Sequence, residues 1–500
     1  MASYIGIDLG TTNSVVATID PTGRPVIVHN KEGSNITPSV VSKLSADRFD
    51  IGETARKSLG QSNTIGAFKR DIGTGKSYDL DGIKMTPLEL SALVLKKLGT
   101  DAKEALGELS DVVVTIPANF ANEAREATLK AAKQAGLNVK HIINEPTAAA
   151  LYFAHNIGLD LEGNYAVYDL GGGTFDVTIL SIQGRDVNVL ATEGVSKLGG
   201  ENFDKELQKL VFDKYKAECG EFPDPDDYSL SNAEEDKKSL SKRGEIKVRV
   251  RSDAGSANFS VTRDEFEAAI SNYIGQSEIL CETVLDEANI NIKDLNGVFL
   301  VGGSTRVPAI KQSITKIFKS EPISFANPDE VVALGAALYA AYKSDGKELN
   351  DVQKNSIDKL NISEITSKYF GTIVAGIDFK KEALMLQNSV IIKKGTKIPC
   401  EETISVFTIR ENQTEISCKV TEAGTDETDP KFVNVIGEGE FIVPEGRPEG
   451  QEILVTYSYD ENQVMHCAFM DVGSNRKIEM DFKLAKESKD EVDISKFIVE

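Results

Sequence analysis

Asp8-Leu9-Gly10-Thr11-Thr12-Asn13 and Asp169-Leu170-Gly171-Gly172-Gly173-Thr174 repeat one pattern, a short apolar strand that runs into Asp, Gly and Thr. In the second copy that strand is Tyr165-Ala166-Val167-Tyr168. Glycines let backbone N–H groups approach phosphate oxygens, Thr hydroxyls add donors, and the Asp stands where it can hold a metal ion or its water shell. One copy is no more than a glycine-rich turn, whereas two matching copies point to a duplicated nucleotide-gripping domain. A third apolar strand, Val298-Phe299-Leu300-Val301, leads into Gly302-Gly303-Ser304-Thr305-Arg306 with no acid before it. That loop suits the base or sugar of a nucleotide, with Arg306 placed to stack on an adenine face.

Composition narrows the classes. A chain of 500 residues with 40% hydrophobic content exceeds one ordinary core, so two or three domains are expected. A formal net charge of -22 argues against wrapping a nucleic acid. Cys219, Cys281, Cys400, Cys418 and Cys467 are widely spaced without a CxxC pair, which fits reduced thiols and a cytoplasmic setting. Gly6 and Asp8 interrupt the apolar start at once, and no run of membrane-spanning length follows, so neither a leader nor a membrane partner is expected.

Up to about Tyr342, strands such as Val112–Ile116 alternate with amphipathic stretches such as Asn122–Ala135 and Asp264–Glu287, an α/β pattern. From Tyr369 to about Phe482 short alternating strands take over, for example Glu415–Val420 and Glu452–Tyr457, and predict an all-β sandwich. The expected division is an α/β two-lobed nucleotide-binding domain over 1–343, a polar linker over 344–368, a β-sandwich over 369–484 and a charged tail over 485–500.

Four strings, Ile5–Ser14 (IGIDLGTTNS), Ile142–Ala150 (IINEPTAAA), Asp169–Thr178 (DLGGGTFDVT) and Val301–Pro308 (VGGSTRVP), closely resemble the 70-kDa heat-shock chaperone family of bacterial DnaK type. The likeness runs over essentially the whole chain. It implies an actin-like ATPase, with ATP or ADP and magnesium as cofactors. Asp8 and Asp169 would hold the magnesium through its water shell. Gly10, Thr11, Thr12 and Asn13 would form the first phosphate loop, and Gly171, Gly172, Gly173 and Thr174 the second. Lys69 matches the lysine that reaches the terminal phosphate and the attacking water, and Glu145 the carboxylate that orients a nucleophile; with Asp169 and Thr174 they form the implied catalytic set. Hydrolysis asks for in-line positioning of water and neutralised phosphate charge, and needs no covalent intermediate. The implied adenosine clamp comprises Gly199, Gly200, Glu234, Lys237, Lys238, Ser241, Gly302, Gly303, Ser304, Arg306 and Asp329, with Glu234, Lys237, Lys238 and Ser241 spaced to share one helix face.

The β half resembles the family's peptide-binding sandwich from Val390–Pro399 (VIIKKGTKIP) onward, and by loop position Leu384, Leu386, Phe407 and Ile416 would line its pocket. Pro117 and Arg125 match a proline switch and its arginine partner, which relay the nucleotide state to the sandwich. The implied partners are extended apolar client peptides, a J-domain co-chaperone and a nucleotide-exchange factor. Four departures stand out. The stretch from Lys69-Arg70 to Met85-Thr86-Pro87 lacks a long β insert, as in the shorter HscC-like branch. The linker reads Leu360-Asn361-Ile362-Ser363-Glu364 in place of an acid followed by several leucines, so weaker docking is expected. The short charged tail leaves no room for a helical lid, so peptide exchange is expected to be fast. His141 stands where an arginine would meet a J-domain. These departures keep a second reading open, an ATP-binding regulatory or scaffolding relative with little turnover.

Overall fold

A computed structural model describes residues 3–157, 161–184, 186–323, 327–357, 361–378, 383–480 and 492–500. The duplication reappears in the strand order. In the first lobe, Ser3–Asp8, Asn13–Ile19 and Pro25–Val28 form an antiparallel meander, and Leu109–Ile116 and then Val139–Asn144 extend it in parallel. In the second, Glu162–Leu170, Phe175–Gln183 and Asp186–Val195 repeat the meander, and Leu295–Val301 runs parallel to its first strand. Each leading strand is central and covered on both faces, which explains why Ile5, Ile7, Ala166 and Val167 are fully buried. Each glycine loop leaves the carboxyl end of that strand, where an open α/β sheet offers its crevice.

Between the lobes, the helices Glu145–Ile157 and Val331–Lys343 cross on small residues in a shared apolar core. A methyl group on Gly335 would sit 1.7 Å from the carbonyl oxygen of Ala148, so the crossing depends on glycine there. The stretch Asn122–Ala135 is helical over Asn122–Gln134. The stretch Asp264–Glu287 is two helices, Arg263–Ala269 and Ser271–Glu287, where a single one was expected. They part at Ile270 (φ −92°, ψ 1°), and the Ser271 hydroxyl donates to the Ala268 carbonyl at 2.8 Å, a local bond that competes with the helical ladder.

The C-terminal half is a sandwich of two four-stranded antiparallel sheets. One runs in the order Ala383–Ile392, Tyr369–Asp378, Glu415–Ala423, Asn434–Ile442, and the other Cys400–Phe407, Glu452–Tyr459, Met465–Asp471, Arg476–Met480. Strict alternation along Glu452–Tyr459 turns Ile453, Val455, Tyr457 and Tyr459 inward. The whole is therefore an α/β two-lobed core of duplicated design followed by an all-β sandwich.

The stretch between them is structured. A helix, Asp351–Ile357, lies on the first lobe, where Gln353 Nε2 donates to the Asp20 carbonyl at 3.0 Å and Ser356 Oγ to that of Gly23 at 2.8 Å. A linker strand, Asn361–Ile365, then pairs in parallel with Asp186–Val195 and extends the second-lobe sheet. Of the linker string, Leu360 lies outside the described residues. Ile362 packs on the inter-lobe core and Ile365 is buried, so the docking that few leucines made doubtful rests on two isoleucines and backbone pairing. The end of the chain forms a strand too: Ile498–Val499 pairs in parallel with Arg48–Ile51 of the first lobe.

Candidate functional site

The two phosphate-type loops face each other across a cavity of about 550 Å³ between the lobes, within the range that encloses a small-molecule ligand. Their approach is close. A Cβ on Gly172 would lie 1.9 Å from Thr12 Oγ1, so any side chain there would push the loops apart. Asp8, Gly10, Thr11, Thr12 and Asn13 line the cavity from one side, and Asp169, Gly171, Gly172 and Thr174 from the other. Gly173 and Gly199 do not line it. They are packing glycines: a Cβ on Gly173 would meet Thr11 Cγ2 at 2.6 Å, and one on Gly199 the Gly172 backbone at 2.6 Å.

Lys69 enters on a short 3-10 turn, Phe68–Asp71. The preceding Ala67 takes the left-handed conformation at φ 59°, a strained setting for a residue with a Cβ, and Phe68 is buried behind it. Together they aim the lysine inward, where Nζ meets Glu145 Oε1 at 2.8 Å and lies 5.5 Å from the Phe120 ring centre. Glu145 itself opens the helix Glu145–Ile157 at the end of the strand Val139–Asn144.

The carboxylates outnumber the cations around this pair. Burial, reinforced by Glu145, pushes Asp8 up to about 7, although Lys69 and a hydrogen bond from Thr115 Oγ1 at 3.2 Å pull the other way. Burial, then Glu145, Asp176 and Asp8, push Asp169 well above the ordinary carboxylate range. Asp176 is likewise raised to about 7, chiefly by burial and then by Glu145. Such crowding is what a divalent cation relieves. Among the described residues no three acidic, His or Cys side chains converge tightly enough to ligate an ion directly. The crowded Asp8 and Asp169 suit a divalent cation, and the buried, unpartnered Asn13 Oδ1 adds one more polar group at the cavity wall.

At the other end, the helix Leu230–Lys242 contributes Glu234, Lys237, Lys238 and Ser241, and the turn Gly303–Arg306 contributes Gly303, Ser304 and Arg306 beside Gly200, Gly302 and Asp329. Ser304 Oγ donates to the Gly171 carbonyl at 2.8 Å, which ties the third loop to the second. Arg306 is half exposed and held by Asp329 at 2.7 Å and Asn327 at 2.6 Å.

Sequence reasoning missed five residues here. Arg56 of the first lobe reaches Glu234 at 2.8 Å and, with Arg70–Glu201 at 2.7 Å, bridges the two lobes over the cavity. Asp204 pairs with Lys237 at 2.7 Å and is raised to about 6 by burial. Asp176 was findable: the loop joining two antiparallel strands sets the register, and it puts Asp176 opposite Asp169.

Pro117 is buried just after the strand Leu109–Ile116. Arg125, almost wholly buried, donates to the carbonyls of Phe120 at 3.1 Å and Ala118 at 2.9 Å, and reaches Gln463 of the sandwich. Its Nη1 also meets Asn144 Oδ1 at 3.4 Å, one residue before Glu145. His141 bonds Asn462 of the sandwich at 2.7 Å, so it faces the β domain.

On the sandwich, Leu384 and Leu386 project from an edge strand and are 65% and 63% exposed, and Phe407, at the end of a strand in the other sheet, is 58% exposed. Ile416 instead packs half-buried against the sandwich core. Met385, Phe432 and Ile442 are also exposed on this domain.

Comparison with known proteins agrees with this geometry. A family model described as Hsp70 protein matches residues 4–80 and 74–500. The proteins named Chaperone protein DnaK from Thermotoga neapolitana and Thermotoga maritima are each 35% identical over 497 residues, covering 95% of this chain and 79% of theirs. A paired-loop nucleotide cleft, a β-sandwich behind it and a match along nearly the full length have one reading: the chain belongs to the Hsp70 family of ATP-hydrolysing, ATP-dependent chaperones.

Proposed function

We propose that the inter-lobe cavity hydrolyses ATP with Lys69 and Glu145 as the water-positioning pair and Thr174 beside the terminal phosphate. Asp8 and Asp169 hold a magnesium ion through its water shell. Bound there, the metal neutralises phosphate charge. Lys69 supplies a fixed positive charge that costs no reorganisation, because Glu145 and Phe120 already hold it. Glu234, Lys237, Lys238, Ser241, Arg306 and Asp329 form the adenosine end.

Hydrolysis in turn sets the grip of the β domain on an extended apolar segment of a client polypeptide. Leu384, Leu386 and Phe407 supply the apolar contact, and the open edge of Ala383–Ile392 supplies backbone hydrogen bonds. The single observation that carries this coupling is at the linker. Glu364 accepts from Asn144 Nδ2 at 2.9 Å, and Asn144 directly precedes Glu145, so a docked linker and the cleft share one strand end. Arg125 extends the link to Ser367 at 3.4 Å and to Gln463. Pro117, at the end of the neighbouring strand, belongs to the same relay. A J-domain co-chaperone and a nucleotide-exchange factor, working in the cytoplasm, complete the cycle.

The test is release of a fluorescent apolar heptapeptide from the full chain. ATP should speed release at least about tenfold over ADP. Equal release with the two nucleotides would overturn the coupling, and negligible ATP turnover would favour a nucleotide-binding scaffold instead.

A further inference from the structure

The last described residues are anchored to a domain far from them in sequence. Ile494 is buried in the core of the first lobe, and Phe497 and Val499 pack against that core. The Phe497 and Phe49 rings meet edge to face at 4.8 Å. Backbone bonds run from Ile498 N to the Asp47 carbonyl at 2.8 Å, from Glu500 N to that of Phe49 at 3.0 Å, and from Ile51 N to that of Glu500 at 3.1 Å. Side chains of the lobe reinforce them. Lys96 Nζ donates to the carbonyls of Phe497 at 2.8 Å and Ile494 at 3.3 Å, Glu89 Oε1 accepts from Val492 N at 2.6 Å, and Arg48 pairs with Glu500. Three apolar anchors and a strand pairing are more than a solvated tail makes.

The β domain is therefore attached at both ends. Its entry, the linker strand Asn361–Ile365, lies on the second lobe, and its exit leads to a strand on the first. We propose that residues 492–500 are a strap, a fixed anchor on the first lobe that limits how far the sandwich can leave the ATPase core. From Met480, the end of the last sandwich strand, to Val492 the chain is 12 residues in sequence, which spans at most about 40 Å fully extended. A sandwich whose linker strand has let go thus stays within reach of its docking surface, and the second attachment keeps its effective concentration there high. None of this depends on what the sandwich binds.

Cutting the tether while leaving the anchor separates a strap from a strand that merely completes the lobe. Residues 483–489 are replaced by a site of equal length for a specific protease, and the otherwise intact chain is cleaved with ADP bound. The released fragment should stay with the protein on size exclusion, held by Ile494 and Phe497. Amide hydrogen exchange at residues 361–363 should then accelerate at least about tenfold, and the radius of gyration from X-ray scattering should rise. The uncleaved variant Phe497→Asp should give the same two changes. Unchanged exchange and radius after cleavage would overturn the proposal, as would loss of the fragment, because a strap must hold without its tether.

Discussion

The two glycine loops share a strand, a turn and an acid, yet they are not electrostatically alike. Across its hairpin Asp8 faces Val15, whereas Asp169 faces Asp176. Asp8 has a hydroxyl donor in Thr115 and is raised to about 7, while Asp169, raised well above the ordinary carboxylate range, has a second acid beside it and no such donor among the causes of its shift. One register position, Val in one copy and Asp in the other, turns a symmetrical cradle for phosphates into a lopsided site. Negative charge gathers on the second lobe, and Lys69 is spoken for by Glu145. The lesson is that duplication supplies the grip, while Glu145 and the acid at one diverged cross-strand pair add the crowding that a cation relieves.

The largest effect belongs to the group that serves both loops. Lys69→Ala should lower ATP turnover about 10²–10³-fold while nucleotide affinity changes only a few-fold, read from steady-state phosphate release and equilibrium titration. A loss in affinity alone would mean that Lys69 only binds. The asymmetry itself is tested next. Asp169→Asn should reduce turnover about fivefold more than Asp8→Asn, and equal losses would break the comparison.

The smallest effect is on stability. Asp176 stands at about 7 in the folded chain against an ordinary 3.8, so the folded state holds the proton more tightly than the unfolded state does. The contribution of Asp176 to stability then falls as pH rises from about 4 to about 7, and stays low above that. Asp176→Asn removes this penalty and should raise the melting temperature of the nucleotide-free protein by about 4 °C at pH 8, with no change near pH 4. A lower melting temperature at pH 8 would show that a cation already holds the carboxylate charged.

Much of the fold was legible because its signals are local. Strand runs that end in glycine loops, and alternation along Glu452–Tyr459, each state their own geometry. The loop residues of the site were legible for the same reason, since their types answer to phosphate chemistry. Arg56, Glu201 and Asp204 were not, because a charged residue on a helix looks solvated until another lobe or a neighbouring helix packs against it. The break at Ile270 escaped as well: apolar periodicity runs straight through it, and the competing bond is a single serine hydroxyl. Likewise the tail reads as a charged stretch with a few scattered apolar residues. Only in the fold do the first-lobe core and the edge of Arg48–Ile51 give Ile494, Phe497 and Val499 somewhere to go.

The contact of Gly335 with Ala148 has a mechanical meaning. Where two helices meet through interlocked side chains, turning one against the other means unseating them, but these two touch almost backbone to backbone. Such a contact works as a plain bearing, with little to climb over as it turns. Glu145 begins one of the helices, and Asp329 lies just ahead of the other. A few degrees of rotation at that axle would shift Glu145 relative to Asp329, the two ends of the cleft, without rebuilding either sheet.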